Sequence, residues 1–167
     1  MAGKNISRFR VGGCKKSINM KKEISDKIII HTDGGSRGNP GKSAIGVVID
    51  GIGGETKEYG EFIGETTNNV AEYQAVIFAL KKTRQLAGRE ALENVHVEVY
   101  VDSELICRQL KGEYKVENKE MQSLFMEVWN LKFDFSHLSF HEVPREKNVL
   151  ADRLVNTCLD KQASKLF

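Results

Sequence analysis

The order of the hydrophobic segments constrains the fold of this chain more than any other feature of its sequence. Three strand-like segments come first, at residues 27–33, 44–50 and 56–65, and glycine-rich connections separate them. The connection at 34–42 contains an Asn-Pro-Gly sequence and is predicted to be a turn-rich loop. Strands joined by such connections are usually antiparallel neighbours, so the first third of the chain predicts an antiparallel meander.

Helical and strand-like segments alternate after this meander. A helix is predicted to open at Asn68 or Asn69, whose side chains can accept hydrogen bonds from free backbone N–H groups. Two further strands are predicted at 95–101 and 138–143, with helical segments between them and a last helix capped by Asn148. Because strands joined through helices run parallel, the whole pattern predicts an α/β fold with a mixed five-stranded sheet, three antiparallel strands first, flanked by helices.

The charge of the chain is unevenly distributed. Residues 1–24 lack hydrophobic periodicity and predict a basic, flexible tail, followed by one domain at 25–162 and a short tail at 163–167. Residues 1–27 hold eight Lys/Arg and two acidic residues, a net charge of +6, whereas the other 17 Lys/Arg and 21 Asp/Glu give −4. The tail is either a solvated leader or a segment that grips phosphate groups. The acidic body predicts that cations are needed where a phosphate binds.

Several classes of protein are excluded by composition. No apolar run approaches the roughly 18 residues of a membrane span, and the N-terminal segment lacks the apolar region of a signal peptide. The three cysteines are far apart and form no CxxC pair, so they predict neither a disulfide framework nor a zinc site. We therefore expect a cytoplasmic protein that contacts no membrane, and a monomer with no obligate protein partner.

Four carboxylates occupy positions that this topology can bring together. Asp33 and Asp102 each end a predicted strand, and ligands bind beyond strand ends in such sheets. Glu72 and Asp152 are predicted in the first turns of two helices, where the positive helix end favours a carboxylate. Each position taken alone is better explained by a turn, a cap or a helix-dipole role. Together, four carboxylates in one cleft repel each other unless cations neutralise them, and ligand sets made only of oxygen favour Mg²⁺ or Mn²⁺ over zinc.

The sequences around these carboxylates resemble, in order, four signatures of the ribonuclease H type 1 family. They read TDGGSRGNPG at 32–41, TTNNVAE at 66–72, VDS at 101–103 and REKNVLAD at 145–152. The resemblance covers roughly residues 27–160. It implies a ribonuclease H-like fold and an endonuclease that hydrolyses the RNA strand of RNA/DNA hybrids, leaving 5′-phosphate and 3′-hydroxyl ends.

The same resemblance assigns roles to individual residues. Asp33 would bridge two Mg²⁺ or Mn²⁺ ions, with Glu72 and Asp102 completing one metal position and Asp152 the other. Asparagine side chains and backbone amides would contact 2′-hydroxyls in the minor groove, and a threonine would line a phosphate pocket. These substrate-binding residues are Gly35, Ser36, Asn39, Thr67, Asn68 and Asn69.

The chain departs from the family pattern in two places. Many relatives carry a histidine in the loop before the last aspartate, whereas residues 144–147 contain none and leave Arg145 or Glu146 as candidates to assist product release. Many relatives also carry a basic protrusion, but the stretch 111–135 mixes four lysines with five acidic residues. The sequence therefore predicts a short-loop variant without a strong basic handle.

Three other functions are weighed against this one. An exonuclease on the same fold is disfavoured by the TTNN sequence, and a non-catalytic module that binds hybrid or RNA is disfavoured because all four carboxylates are present. A nuclease that also cuts double-stranded RNA stays open, because both duplexes present 2′-hydroxyls in a similar groove.

Overall fold

The computed structural model of the chain describes residues 23–164. The first strand begins at Ile24 and the last helix ends at Ser164. The predicted basic tail lies outside the described residues except for its last two positions, and its role stays a prediction. Within the described part, no helix combines the length and the apolar character needed to cross a bilayer.

The sheet is built around its central strand β1, Ile24–Gly38. One edge of β1 pairs antiparallel with β2, Gly41–Ile52, which pairs antiparallel with β3, Lys57–Thr66. The other edge pairs in parallel with β4, His96–Val101, and β4 pairs in parallel with β5, His137–Glu142. The strand order β3-β2-β1-β4-β5 confirms the predicted mixed sheet with three antiparallel strands first.

Helices cover both faces of this sheet. They are α1 Asn68–Ala87, α2 Arg89–Leu92, α3 Glu104–Leu110, α4 Lys119–Lys132 and α5 Val149–Ser164, and a 3-10 turn at Arg145–Lys147 precedes α5. α1 packs on β1 and β2 and carries α4 beside it, while α5 packs on β1, β2 and β3. Ala44 of β2 packs with Val155 and Leu159 of α5 in a small cluster separate from the main core, which places α5 on the opposite face from α1.

The main core lies between the sheet and α1. Ile28 and Ile30 of β1 and Val76 and Leu80 of α1 are fully buried. Burial of each such side chain contributes roughly 1.5–3 kcal/mol, which is what fixes α1 on the sheet. Tyr73 is also fully buried, and its hydroxyl donates to Oε1 of Gln109 at 2.9 Å.

The predicted loop at 34–42 is wrong, because β1 and β2 continue into it. Their pairing runs to Gly38↔Gly41, which leaves only Asn39 and Pro40 as the turn. Continued pairing satisfies backbone N–H and C=O groups that a loop would have to satisfy otherwise. The hairpin therefore extends beyond the end of β4 and forms one wall of a cleft.

Candidate active site

Asp33 lies where the parallel partner of its strand ends. The β1–β4 ladder stops at Thr32↔Val101, so Asp102 leaves the sheet beside Asp33. The expectation that Asp102 ends its strand is confirmed. The same expectation for Asp33 is wrong, because β1 continues through its pairing with β2, where Asp33 faces Gly46. As a result Asp33 is held by a paired backbone and is only 8% exposed.

Glu72 reaches the site because glycine allows α1 to approach β1 closely. A Cβ on Gly34 would overlap backbone atoms of Ala71 and Glu72, so only glycine fits there. The residue that caps α1 is Thr67, whose side chain accepts from the backbone N–H of Val70 at 3.4 Å. The prediction of an Asn68 or Asn69 cap is therefore wrong. Glu72 lies beyond the first turn of α1, which carries no acidic residue.

A second close approach brings Asp152 to the same place from the other face. A Cβ on Gly46, the partner of Asp33, would overlap the backbone oxygen of Ala151. Asp152 lies in the first turn of α5, as predicted. The buried side chain of Asn148 donates from Nδ2 to the Thr32 oxygen at 2.9 Å, while its backbone oxygen accepts from the N–H of Asp152 at 3.1 Å. Asn148 thus ties β1 to the start of α5 through its side chain, where sequence reasoning expected a side-chain cap.

The four carboxylates line one open cleft of about 380 Å³. Of the predicted substrate-binding and accessory residues, Gly35, Ser36, Asn68 and Arg145 also line this cleft. The remaining predicted residues, which are not among its lining, are Asn39, Thr67, Asn69 and Glu146.

One of the outlying residues, Asn39, still contacts a residue that lines the cleft through a hydrogen bond. Oδ1 of Asn39 accepts from the backbone N–H of Asn68 at 3.2 Å, which joins the β1–β2 turn to the start of α1. The side-chain amide of Asn68 in turn donates to Oε1 of Glu72 at 2.9 Å. The Ser36 hydroxyl donates to the Thr66 oxygen at 2.9 Å and so links the same turn region to the end of β3. Asn68 therefore connects Glu72 to Asn39 in the turn between β1 and β2.

Burial and mutual repulsion disfavour the ionised form of two carboxylates. Burial, followed by the charges of Asp102 and Asp152, raises the pKa of Asp33 from its ordinary 3.8 to about 7. Burial also raises the pKa of Glu72 from 4.5 to about 7; the Asp102 and Asp33 charges add to this, while hydrogen bonds from Ser103 and Asn68 oppose it. A site with such groups favours any cation that can neutralise it.

The two oxygens of Asp152 already have partners. Oδ1 accepts from Nη2 of Arg145 at 2.7 Å, and Oδ2 accepts from Nδ2 of Asn156 at 3.1 Å. The sequence reasoning did not single out Asn156, although its i+4 spacing from Asp152 on a helix was a usable signal. It also did not single out Ser103, whose hydroxyl lies beside Glu72.

The chemistry of the cleft fits divalent cations with oxygen ligands. Oε2 of Glu72 is buried without a hydrogen-bond partner. This oxygen is therefore suited to coordinate a cation. Within residues 23–164, no three His, Cys, Asp or Glu side chains are gathered tightly enough to enclose a metal ion alone. Mg²⁺ does not require such a cage, because proteins usually hold it through one or two carboxylates together with water and substrate phosphate.

We predict that in EDTA the protein loses stability as pH rises from 5 to 8. Asp33 and Glu72 have raised pKa values in the folded state, so between about pH 4 and 7 the folded protein binds more protons than the unfolded chain. The free energy of unfolding then falls with rising pH, by on the order of 3 kcal/mol. Urea unfolding at pH 5, 6, 7 and 8 measures this slope.

The control is the same series with millimolar Mg²⁺. A bound cation keeps both carboxylates ionised, so the decline above pH 5 should become much smaller. Equal slopes with EDTA and with Mg²⁺ would contradict cation binding at this cluster.

Comparisons with known proteins agree with the fold of this chain. A family model described as reverse transcriptase-like matches residues 31–158. LC11-RNase H1, isolated from compost, is 48% identical, with a TM-score of 0.76 over 83% of this chain and 99% of its own. A second structure of that protein, in complex with an RNA/DNA hybrid, is 47% identical, with a TM-score of 0.76 over 81% of this chain and 99% of its own.

Two curated relatives are longer than the matched region. The bifunctional protein Rv2228c of Mycobacterium tuberculosis is 37% identical over 82% of this chain, but the match spans only 36% of that relative. Ribonuclease HI of Halobacterium salinarum is 36% identical over 80% of this chain and 65% of its own length. The chain thus covers about a third of the first relative and about two thirds of the second.

Proposed function

Because this chain belongs to the ribonuclease H-like family of reverse transcriptase-like domains, we propose that it is an endoribonuclease that hydrolyses the RNA strand of RNA/DNA hybrids. The observation that carries the proposal is the convergence of Asp33, Glu72, Asp102 and Asp152 in one open cleft. Family membership supplies the reaction class, and the cleft supplies the groups that the reaction needs.

The carboxylates are proposed to hold two divalent cations, Mg²⁺ or Mn²⁺. Asp33 would serve both positions, which is supported by its electrostatic interaction with both Asp102 and Asp152. Glu72 and Asp102 would complete one position, and Asp152 the other. When bound, such cations supply an activated water and neutralise charge on the leaving 3′ oxygen, which yields 5′-phosphate and 3′-hydroxyl ends.

The wall beside the carboxylates is proposed to bind the substrate. The side-chain NH2 group of Asn68 donates to Glu72. The side-chain carbonyl oxygen of Asn68 would then accept a hydrogen bond from a 2′-hydroxyl. Gly35 and Ser36 line the same cleft, and their backbone amides would contact the substrate there. Asn39, Asn69 and Thr67 would act further out, on neighbouring sugars and on a phosphate.

Three other properties stay predictions. We expect the protein to act as a monomer, without an obligate protein partner, and in the cytoplasm. The basic N-terminal tail is expected to raise the affinity for nucleic acid without taking part in the chemistry.

A cleavage assay on four labelled duplexes tests this function. The duplexes are a hybrid labelled on its RNA strand, the same hybrid labelled on its DNA strand, an RNA/RNA duplex and a DNA/DNA duplex. Each is incubated with Mg²⁺, with Mn²⁺ or with EDTA. We expect cleavage of only the RNA strand of the hybrid, with either metal, and none in EDTA. Mapping of the product ends should give 5′-phosphates.

Each departure from this pattern points to a different function. Binding of the hybrid without cleavage under all metal conditions would overturn the enzyme in favour of a binding module. Additional cleavage of RNA/RNA would broaden the substrate to double-stranded RNA. Release of single nucleotides from one end would indicate an exonuclease.

A further inference from the structure

The two ends of the carboxylate cluster differ in how their oxygens are satisfied. Oε2 of Glu72 is buried without a hydrogen-bond partner. At the other end, Oδ1 of Asp152 is held by Arg145 and Oδ2 by Asn156. A divalent cation can therefore bind at the Glu72 end without breaking a contact of that oxygen. At the Asp152 end it has to compete with an arginine that already provides a positive charge.

Arg145 is well placed for such competition and for release. It lies in the 3-10 turn Arg145–Lys147 just before α5, and its side chain is 75% exposed while that of Asp152 is 28% exposed. The hydrogen bond to Asp152 and the charge of that carboxylate, followed by the charges of Asp33 and Asp102, hold the pKa of Arg145 above its ordinary value. The exposed side chain can leave Asp152 without disturbing the packed core.

We propose that Arg145 is an internal cation that holds the Asp152 end of the cluster and makes binding of the second divalent cation dependent on substrate. The inference rests on the proposed function, since it takes a phosphodiester as the group that draws Arg145 away. A guanidinium forms paired, charge-assisted hydrogen bonds with phosphate as readily as with carboxylate. When the substrate binds, its backbone phosphate can therefore replace Asp152 as the partner of Arg145. Asp152 is then free to bind the second cation.

The proposal predicts opposite effects of one substitution on metal and on substrate. R145Q removes the competing charge, so the second Mn²⁺ should bind to the nucleic acid-free protein at least tenfold more tightly than in the wild type. The same variant loses a phosphate contact, so its KM for the hybrid should rise, while the Mg²⁺ concentration for half-maximal cleavage should fall. Bound Mn²⁺ is counted by titration with electron paramagnetic resonance, which requires no activity.

Matched variants separate competition from general effects of charge or folding. R153Q removes the same charge from α5, where Arg153 contacts Glu58 at 3.6 Å, and should bind Mn²⁺ as the wild type does. R145K keeps a charge at the position and should restore most of the competition. In a D152N background, R145Q should have little effect on Mn²⁺ binding, because the negative charge for which Arg145 and the cation compete is gone.

The outcomes also separate this inference from the proposed function. Unchanged or weaker binding of the second Mn²⁺ in R145Q would overturn the role of Arg145, even if the hybrid is cleaved normally. The same holds if R153Q tightens Mn²⁺ binding as much as R145Q does. Tighter binding specific to R145Q, in a protein that cuts no hybrid, would support the internal cation while refuting the ribonuclease activity.

Discussion

D33N is expected to reduce hybrid cleavage by about 10³-fold or more, equivalent to roughly 4 kcal/mol of barrier. Asp33 is the carboxylate on which the Asp102 and Asp152 charges both act, so its loss should weaken both proposed cation positions. The same substitution removes a buried, repelled charge, and at pH 8 in EDTA it should stabilise the protein. Single-turnover cleavage and urea unfolding on the same preparation measure the two effects.

D26N is the matched control for this experiment. Asp26 lies on the same strand but is exposed, and it is not among the residues that line the cleft. D26N should therefore cleave at the wild-type rate and show no gain in stability. Near wild-type cleavage by D33N would refute the assignment of the metal site. Inactive D33N with a lowered midpoint of unfolding would instead mean that Asp33 supports the fold.

The sheet could be predicted from sequence because hydrophobic periodicity and element order are local signals. The five strands and their mixed topology follow from short connections early in the chain and helical connections later. Element ends were less predictable, because they depend on tertiary pairing. The segment 34–38 has the composition of a loop, yet it is a strand because β2 is beside it.

The four carboxylates could also be identified from sequence, but not the means by which they are brought together. Gly34 and Gly46 look like ordinary turn or strand glycines in the sequence. Only the structure reveals that each admits the backbone of a helix, one that carries Glu72 and one that carries Asp152. Such contacts join residues far apart in the chain and leave no periodic signal.

Hydrogen bonds between side chains were the least predictable part of the site. The cap of α1 is Thr67, one residue before the predicted positions, so Asn68 is free to bind Glu72. Because the cap lies one residue earlier than predicted, Asn68 does not cap the helix but links Glu72 to Asn39 in the turn between β1 and β2. Sequence reasoning gave both Thr67 and Asn68 a place at the substrate, but it could not separate capping from binding.

An all-DNA duplex is expected to be cut about 10³-fold more slowly than the same duplex carrying a run of ribonucleotides in one strand. Cations held by carboxylates would bind phosphate in either nucleic acid, so discrimination has to come from contacts with 2′-hydroxyls. Three such hydrogen bonds, at roughly 1–1.5 kcal/mol each, account for a difference of this size. Runs of one, two, four and six ribonucleotides, compared by kcat/KM, should show a rise that levels off once all contacts are filled. Efficient cutting of all-DNA duplexes would leave only a generic metal-dependent nuclease.

N68A tests the same discrimination at a single residue. Its loss of the 2′-hydroxyl acceptor should lower kcat/KM for the ribonucleotide run by about tenfold, equivalent to roughly 1.4 kcal/mol. Because Thr67 provides the cap, N68A should melt close to the wild type, whereas T67A should lose about 1 kcal/mol of stability.

The loss of the Asn68 side chain also frees Oε1 of Glu72, so a misplaced carboxylate is a second possible cause of a fall in kcat. A duplex with a single 2′-deoxy sugar inside the run distinguishes the two causes. At the sugar that Asn68 is proposed to contact, the deoxy substitution should slow the wild type about tenfold and N68A hardly at all. Equal slowing of both proteins at every sugar would assign Asn68 to Glu72 alone and place the discrimination on the other residues of the wall.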